Sequence, residues 1–146
     1  MSGIFNTMDV AASGMTAQRT RMDIIAQNIA NVNTTRDEKG EVYKRQTVLF
    51  QENANQSFEH ILSNRLETYH AKGVKIASIV EDTTEGPMAY DPSHPDADEN
   101  GYVHLPNVNT VTEMTNLIDA SRSFEANATA FNAAKAMAAK GLELFS

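Results

Sequence analysis

The sequence predicts a mainly α-helical chain in which long N- and C-terminal helices pair as a coiled-coil-like hairpin or bundle, with a small β-rich insert between them. Three observations predict this fold: apolar residues recur at alternating spacings of three and four near both ends, proline is absent there, and β-branched residues cluster in between. A chain of 146 residues with 41% apolar content can form one modest core. We therefore divide the chain into an N-terminal helix over 1–35, a small β-rich domain over 36–109 and a C-terminal helix over 110–146.

The N-terminal stretch carries two interleaved seven-residue series. One series is Met8, Met15, Met22 and Ile29, and the other is Ile4, Ala11, Gln18, Ile25 and Val32. All but Gln18 are apolar, which gives the narrow stripe of a helix that packs against another helix. Such a helix is about 45 Å long. The asparagines and threonines at 31–35 predict its end.

The C-terminal stretch repeats this pattern. One series is Leu117, Phe124, Phe131, Ala138 and Phe145, and the other is Met114, Ser121, Ala128, Lys135 and Leu142. Lys135 is the one clear break, and the many alanines over 120–139 favour a helix through their high propensity.

Between the helices, the pattern becomes that of strands. Residues 42–50 and 74–80 are β-branched and partly alternating, and 102–105 is a short third candidate. Apolar residues at helical spacing over 53–72 predict a short amphipathic helix or an ordered loop. Prolines divide the acidic stretch 81–99 and its surroundings into turns.

Charge and hydropathy exclude several classes of partner. The net charge of −7 arises within 76–109, and 81–99 contain no Lys or Arg, whereas nucleic-acid binding needs clustered positive charge. No apolar run approaches the roughly 20 residues that span a bilayer, so we expect no direct membrane insertion. The N-terminus has neither the charged region nor the apolar region of a Sec-type signal, so we expect no cleaved signal peptide.

No residue pattern predicts catalysis, a cofactor or a metal. Asp96, Asp98, Asn100 and Gly101 match the first, third, fifth and sixth positions of a calcium-binding EF-hand loop. The twelfth position is Asn107 instead of a bidentate glutamate. A solvated turn is therefore the preferred interpretation, and a calcium site is the alternative. The chain has no cysteine, no helical histidine pair, no phosphate-binding glycine loop and no nucleophile motif.

Longer motifs at both ends are more specific. Ser-Gly-Met-Thr-Ala at 13–17 is followed by Met-Asp-Ile-Ile-Ala-Gln-Asn-Ile-Ala-Asn-Val-Asn-Thr at 22–34, which resembles the N-terminal signature of flagellar rod and hook axial proteins. Gly-Tyr-Val-His-Leu-Pro-Asn-Val-Asn at 101–109, Glu-Met at 113–114 and Ala-Ser-Arg-Ser-Phe-Glu-Ala-Asn at 120–127 resemble the proximal-rod members of that family. Residues 53–72 form an insert that is longer than is usual there.

The resemblance implies a structural subunit of the bacterial flagellar basal-body rod. Such subunits polymerise through their terminal helices into the axial drive shaft that transmits motor torque to the hook. The resemblance also implies self-association, contacts with other rod and basal-body proteins, a place in the cell envelope and passage through the flagellar type III export apparatus. Another rod or hook axial protein, or a cytoplasmic coiled-coil adaptor that binds one helical partner, remain alternatives.

We expect the assembly interface to combine residues of the apolar series with the glycine and asparagines of the matching motifs. Gly14 costs a helix roughly 1 kcal/mol relative to alanine, which indicates that another backbone approaches closely. Asparagine amides can bond backbone groups across an interface or end a helix. The predicted interface residues are Ile4, Met8, Ala11, Gly14, Met15, Met22, Ile25, Asn28, Ile29, Asn31, Met114, Leu117, Ser121, Phe124, Asn127, Phe131 and Leu142.

Overall fold

Two long helices and two small antiparallel sheets make up the described part of the chain. A computed structural model describes residues 2–36, 40–53 and 72–143. The elements are α1 (Ser2–Ala30), β1 (Gln46–Glu52), β2 (Val74–Glu81), β3 (Met88–Tyr90), β4 (Tyr102–His104) and α2 (Thr110–Glu143). The prediction of a mainly helical chain with a small β insert is confirmed. Apart from its first and last residues, the stretch predicted as a helix or loop over 53–72 lies outside the described residues.

Side-chain amides define the ends of the helices that face the insert. At the end of α1, the backbone N–H and the side-chain amide of Asn31 both donate to the Gln27 carbonyl, the side chain at 2.9 Å. Residues 31–33 then form a turn. Helix α2 begins after Asn109, whose Oδ1 accepts the backbone N–H of Thr112 at 3.1 Å. This is an N-cap, and it satisfies a donor that the helix leaves unpaired.

The helices run antiparallel in a fixed register. Asn28 lies opposite Glu113, and two seven-residue repeats further along, Gly14 lies opposite Asn127. Small side chains allow part of this approach, because Ala11, Ala17, Ala120 and Ala134 are buried, together with the larger Ile24 and Ile25. The residues with less than 9% exposure in the helices are Ala11, Gly14, Ala17, Ile24, Ile25, Asn28, Glu113, Ala120 and Ala134.

The second predicted series of α2 is displaced by one residue from this contact. Glu113, Ala120 and Ala134 are buried, whereas Met114 and Lys135 are exposed. The structure thus places a row containing a carboxylate at the contact and turns the more apolar row outward. Apolar periodicity could not show which row of α2 faces α1, because a charged residue such as Glu113 is expected to face solvent.

Strands β1 and β2 form a sheet that packs along α1. Val48 is buried, and the backbone N–H of Val74 donates to Ser13 Oγ at 3.1 Å. The register shifts between Leu49 and Phe50, which pair with Ser78 and Ile76. The residue of β2 between these two pairings has no partner on β1 and so forms a β-bulge, which bends the sheet around the helix.

Strands β3 and β4 form a second, shorter sheet that the sequence reveals only in part. The predicted strand at 102–105 is present as β4, but its partner β3 falls in a stretch predicted as turns. Three residues next to Pro87 are too few to show alternation. Strand β3 forms because it pairs with β4, where Ala89 lies opposite the buried Val103. The local sequence alone does not predict this strand.

Gly14 has a close neighbour within the chain, and the atoms nearest to it belong to the side chain of Asn127. A Cβ atom at Gly14 would lie 2.8 Å from Asn127 Oδ1 and 2.9 Å from its Cγ. The Asn127 amide is held in place, because its Nδ2 donates to the Ser123 carbonyl at 2.8 Å. The glycine therefore accommodates a fixed side chain of the same chain.

We predict that Gly14→Ala lowers the free energy of unfolding of the isolated protein, since overpacking of about 1–3 kcal/mol exceeds the gain of roughly 1 kcal/mol in helix propensity. Thermal and chemical unfolding measure the change. Asn127→Ala in the same protein should restore the lost stability by opening the space. Gly141→Ala is the matched control, because a Cβ there meets nothing within 4 Å. Equal stability of Gly14→Ala and the parent protein would contradict the prediction.

Candidate assembly site

A buried polar network joins the end of α1 to the start of α2. Asn28, in the last turn of α1, and Glu113, in the first turn of α2, are both 0% exposed. Asn28 Nδ2 donates to Glu113 Oε2 at 3.1 Å. Two polar groups buried at a helix contact need complete hydrogen bonding to be tolerated there.

The Asn28 amide uses its full bonding capacity. Its Nδ2 also donates to the Gln46 carbonyl at 2.8 Å. Its Oδ1 accepts the Gln46 backbone N–H at 2.9 Å and the Tyr43 hydroxyl at 2.8 Å. Two donors and two acceptor positions are therefore occupied. The amide pairs with the backbone of Gln46 as a neighbouring strand would, and so fixes where β1 starts on α1.

The Glu113 carboxylate is paired with Arg45. Its Oε1 lies 2.9 Å from Arg45 Nε and 2.8 Å from Nη2. The arginine side chain is 25% exposed, so only the carboxylate is removed from water entirely. Charge-assisted bonds of this length compensate for part of the cost of burying the carboxylate. The position in the first turn of α2 adds the attraction of the helix dipole.

A third segment completes the junction. Asn107 Oδ1 accepts the backbone N–H of Arg45 at 2.9 Å, and Asn107 Nδ2 donates to the Asp82 carbonyl at 3.3 Å. The backbone N–H of Asp82 donates in turn to the Arg45 carbonyl at 2.7 Å. Helix α2 and the segment after β2 thus meet at Arg45, and α1 joins them through Asn28, which bonds Tyr43 and Gln46.

The network perturbs one ionisable group. Burial raises the pKa of the Tyr43 phenol above its ordinary value, and the nearby carboxylates of Glu113 and Glu81 raise it further. The neutral phenol, which donates to Asn28, is therefore the form that the folded protein favours.

A row of methionines lies at helix positions that do not line the cleft beneath the β1–β2 sheet. Ile24 and Asn116 line an open cleft of about 330 Å³ beneath that sheet. Met22 and Met114 stand two residues before them and hence about 160° round each helix. Met8, Met15 and Met22 are half-buried, and Met114 is 52% exposed. We call Met8, Met15, Met22, Met114, Ser121 and Ala128 the methionine face.

Gln18, the polar member of the predicted series, is next to this face. Its Oε1 atom is buried without a hydrogen-bond partner within the described ranges. An unpaired buried oxygen costs about 1–3 kcal/mol.

The structure divides the predicted interface residues into three groups. Ala11, Gly14, Ile25 and Asn28 are buried within the chain itself. Met114 and Leu142 are exposed. Those of intermediate exposure are Ile4, Met8, Met15, Met22, Ile29, Asn31, Leu117, Ser121, Phe124, Asn127 and Phe131. The role of all these residues in assembly stays a prediction.

Sequence reasoning missed the partners of Asn28 and the ion pair between Arg45 and Glu113. Arg45 and Glu113 are separated by 68 residues, and no local pattern joins them. The one signal in the sequence was Glu113, which stands one position before the predicted apolar series. It could not be read as buried, because a charged residue on a helix usually faces solvent.

The calcium alternative finds no support in the geometry. Asp98 Oδ1 accepts the backbone N–H groups of Asn100 and Tyr102, both at 2.8 Å. Gly101 adopts φ +81°, which suits the turn that these bonds close. Across 2–36, 40–53 and 72–143, no group of three or more His, Asp or Glu side chains could hold a metal. In the same ranges, no helix is long and apolar enough to cross a membrane.

Comparison with known proteins gives consistent similarities at both ends of the chain. Residues 8–36 match the family described as "Flagella basal body rod protein", and 99–144 match "Flagellar basal body rod FlgEFG protein C-terminal". The flagellar basal-body rod protein FlgC of Borreliella burgdorferi is 43% identical over 92% of this chain and 93% of its own length. FlgC of Bacillus subtilis is 42% identical over 96% and 97%, and FlgC of Escherichia coli O157:H7 is 36% identical over 97% of both chains.

We predict that Arg45→Ala lowers the free energy of unfolding by about 3–5 kcal/mol, because it leaves the Glu113 carboxylate buried and unpaired. Glu113→Gln with Arg45→Ala should recover part of this loss by removing the charge. Urea unfolding of the purified proteins measures both. Glu125→Ala, at an exposed position of α2, is the control and should change stability by less than about 0.5 kcal/mol. A loss no larger than the control's would refute the role given to the pair.

A second prediction concerns alkaline pH. Because the Tyr43 pKa is raised in the folded state, its contribution to stability is full below pH about 10 and is lost as pH rises through the folded pKa. Tyr43→Phe should cost about 1 kcal/mol at pH 7 through the lost hydrogen bond. The difference between the two proteins should shrink at higher pH, as measured by unfolding from pH 7 to 11. A constant difference would contradict the shift.

Proposed function

The chain belongs to the FlgC family of flagellar basal-body rod proteins and is a structural subunit of that rod, and we propose that it polymerises in the proximal rod through its two terminal helices. The observation that carries the proposal is the methionine face, whose members are half-buried to exposed in the single chain and so leave surface that a neighbour can cover. A helix of a neighbouring subunit placed there would complete a three-helix contact.

The register of α1 and α2 supports this mode of packing. Asn28 opposite Glu113 and Gly14 opposite Asn127 keep the same offset over two seven-residue repeats. A constant offset of this kind suits coiled-coil-like pairing, in which each helix can offer a second seam to a third helix. Methionine is unbranched and polarisable, so the same face can adapt to neighbours of different shape.

The polar network suits the transmission of torque. A drive shaft requires that the part of each subunit outside the helix core turn with the helices. The paired charges and the Asn28 amide join the two helices to β1 and to the segment after β2 in one buried junction. We infer that this junction stops the insert from rotating on the helix pair under load.

The proposed partners are further copies of the chain, other rod and basal-body proteins, and the flagellar type III export apparatus. The role is structural, and we propose no catalytic step. Family membership removes the support for a cytoplasmic coiled-coil adaptor. The relatives also carry the name FlgC in common, which favours the proximal rod over another rod or hook position.

We predict that Met15→Glu prevents rod assembly and motility while leaving a folded monomer. A carboxylate on the methionine face would be buried without a partner in the polymer but stays partly solvated in the isolated chain. Purified basal bodies, a swimming assay and thermal unfolding of the monomer give the three measurements. Thr16→Glu, at the adjacent exposed position, is the control and should support swimming. Normal rods with Met15→Glu would refute a helix contact at this face.

A further inference from the structure

The outer face of the β3–β4 sheet is an exposed platform of large side chains. Met88 and Tyr90 are 61% and 67% exposed, and Tyr102 is 41% exposed. Tyr90 pairs with Tyr102 across the strands, with ring centroids 5.2 Å apart in an edge-to-face arrangement. Alternation puts Met88, Tyr90, Tyr102 and His104 on one face and the buried Val103 on the other. We call these four outward residues the tyrosine platform.

The platform is rigid before any partner binds. The loop between its strands is closed by bonds from the Asp91 backbone N–H to the Gly101 carbonyl at 2.9 Å and from the Asp98 N–H to the Tyr102 carbonyl at 2.8 Å. Asp96 holds the loop against the end of α1 through Thr35 at 2.8 Å and Arg36 at 3.2 Å. Rigid aromatic side chains lose little conformational entropy on binding, which makes them effective anchors.

Acidic residues outnumber basic ones around the platform, where Lys44 lines the cleft beside Glu85 and His104 and Arg36 pairs with Asp96. The 76–109 segment contains seven Asp or Glu residues and no Lys or Arg. Asp91, Asp98 and Glu99 flank the tyrosine end of the platform, and Glu85 precedes its methionine end. An occupant must therefore combine apolar side chains with positive charge.

The opposite end of the same molecule has that chemistry. Residues 126–143 contain Lys135 and Lys140 and one acidic residue, Glu143. Met137 and Leu142 are 58% and 61% exposed, and Phe5 of the adjoining α1 is 58% exposed. Lys140 contacts Glu143 at 2.7 Å, but both side chains are more than 60% exposed, and such surface pairs exchange partners at little cost. We call residues 133–143 the lysine end.

The two surfaces are far apart on one subunit. The platform lies at the end where α1 finishes and α2 begins, and the lysine end lies near the other terminus of α2, which has 34 residues. At about 1.5 Å per residue the separation approaches 50 Å. One copy therefore cannot bring its own lysine end to its own platform, whereas two copies in head-to-tail order can.

We propose that the tyrosine platform of one subunit binds the lysine end of a second copy. This contact rests on the proposed rod function and adds an end contact to the packing of helix sides. It joins two different surfaces, so it does not close on itself and continues from copy to copy, as an open filament requires.

Photocross-linking in assembled rods tests the contact directly. A benzophenone analogue of phenylalanine at position 102, in an otherwise unchanged chain expressed in motile cells, should cross-link to a second copy, with the bond inside 133–143. The same analogue at Val80, which is 44% exposed on the other sheet, is the control and should give no product there. Cross-links only to a different protein, or to another part of the second copy, overturn the proposal while leaving the rod function intact. Absence of the chain from basal bodies overturns both.

A charge exchange gives the second test. Glu85→Lys with Glu99→Lys, and separately Lys135→Glu with Lys140→Glu, should each reduce the cross-link yield roughly tenfold or more by opposing like charges. Each pair of changes lies at exposed positions, and thermal unfolding should confirm that both monomers stay folded. Coexpression should restore the cross-link between the two variants, since reversed charges then face each other. Unchanged yields in the single variants, or no recovery on coexpression, reject the pairing.

Discussion

The contact between a buried amide and a buried carboxylate organises this subunit. Asn28 and Glu113 meet where the two helices come together, and each is fully removed from solvent. Burying them is unfavourable unless every polar atom is paired, and that requirement recruits Arg45 and Tyr43 from the insert. The strand β1 therefore starts at a position set by the helices. The predicted strand began at residue 42, but β1 begins at Gln46, because Tyr43 and Arg45 bond the helices instead.

The same register governs the rest of the helix contact. Once Asn28 is opposite Glu113, Gly14 must accept the Asn127 side chain, and the small residues of both helices fall in between. The larger and more flexible methionines are then left on the outer flank. The smallest residues pack between the chain's own two helices, and the methionines stay half-exposed. The monomer therefore buries only part of the apolar surface that it could bury. The unpaired Gln18 oxygen is consistent with this incomplete internal packing.

The two proposed contacts, one along the sides of the helices and one between the ends of two copies, would use different kinds of interaction. The methionine face offers adaptable apolar contact and tolerates neighbours of different shape. The tyrosine platform offers rigid aromatic anchors surrounded by acidic residues. This charge favours one orientation of the subunit that binds there. The polar junction connects the two, because it fixes the insert that carries the platform to the helices that carry the methionine face. A subunit that transmits torque needs such a fixed connection.

The sequence alone revealed the elements whose signal is local and repeated. Apolar periodicity over about eight turns in α1 and about nine in α2 identifies the helices. Runs of β-branched residues identify β1 and β2, and the long terminal motifs identify the family. Only the tertiary structure decided which row of α2 faces α1, that Gly14 accommodates a side chain of the same chain, and that β3 exists. Each of these depends on a contact between residues distant in sequence. Glu113 shows the reason most clearly, because a carboxylate is buried only when a specific partner, here Arg45 across 68 residues, compensates for the loss of water.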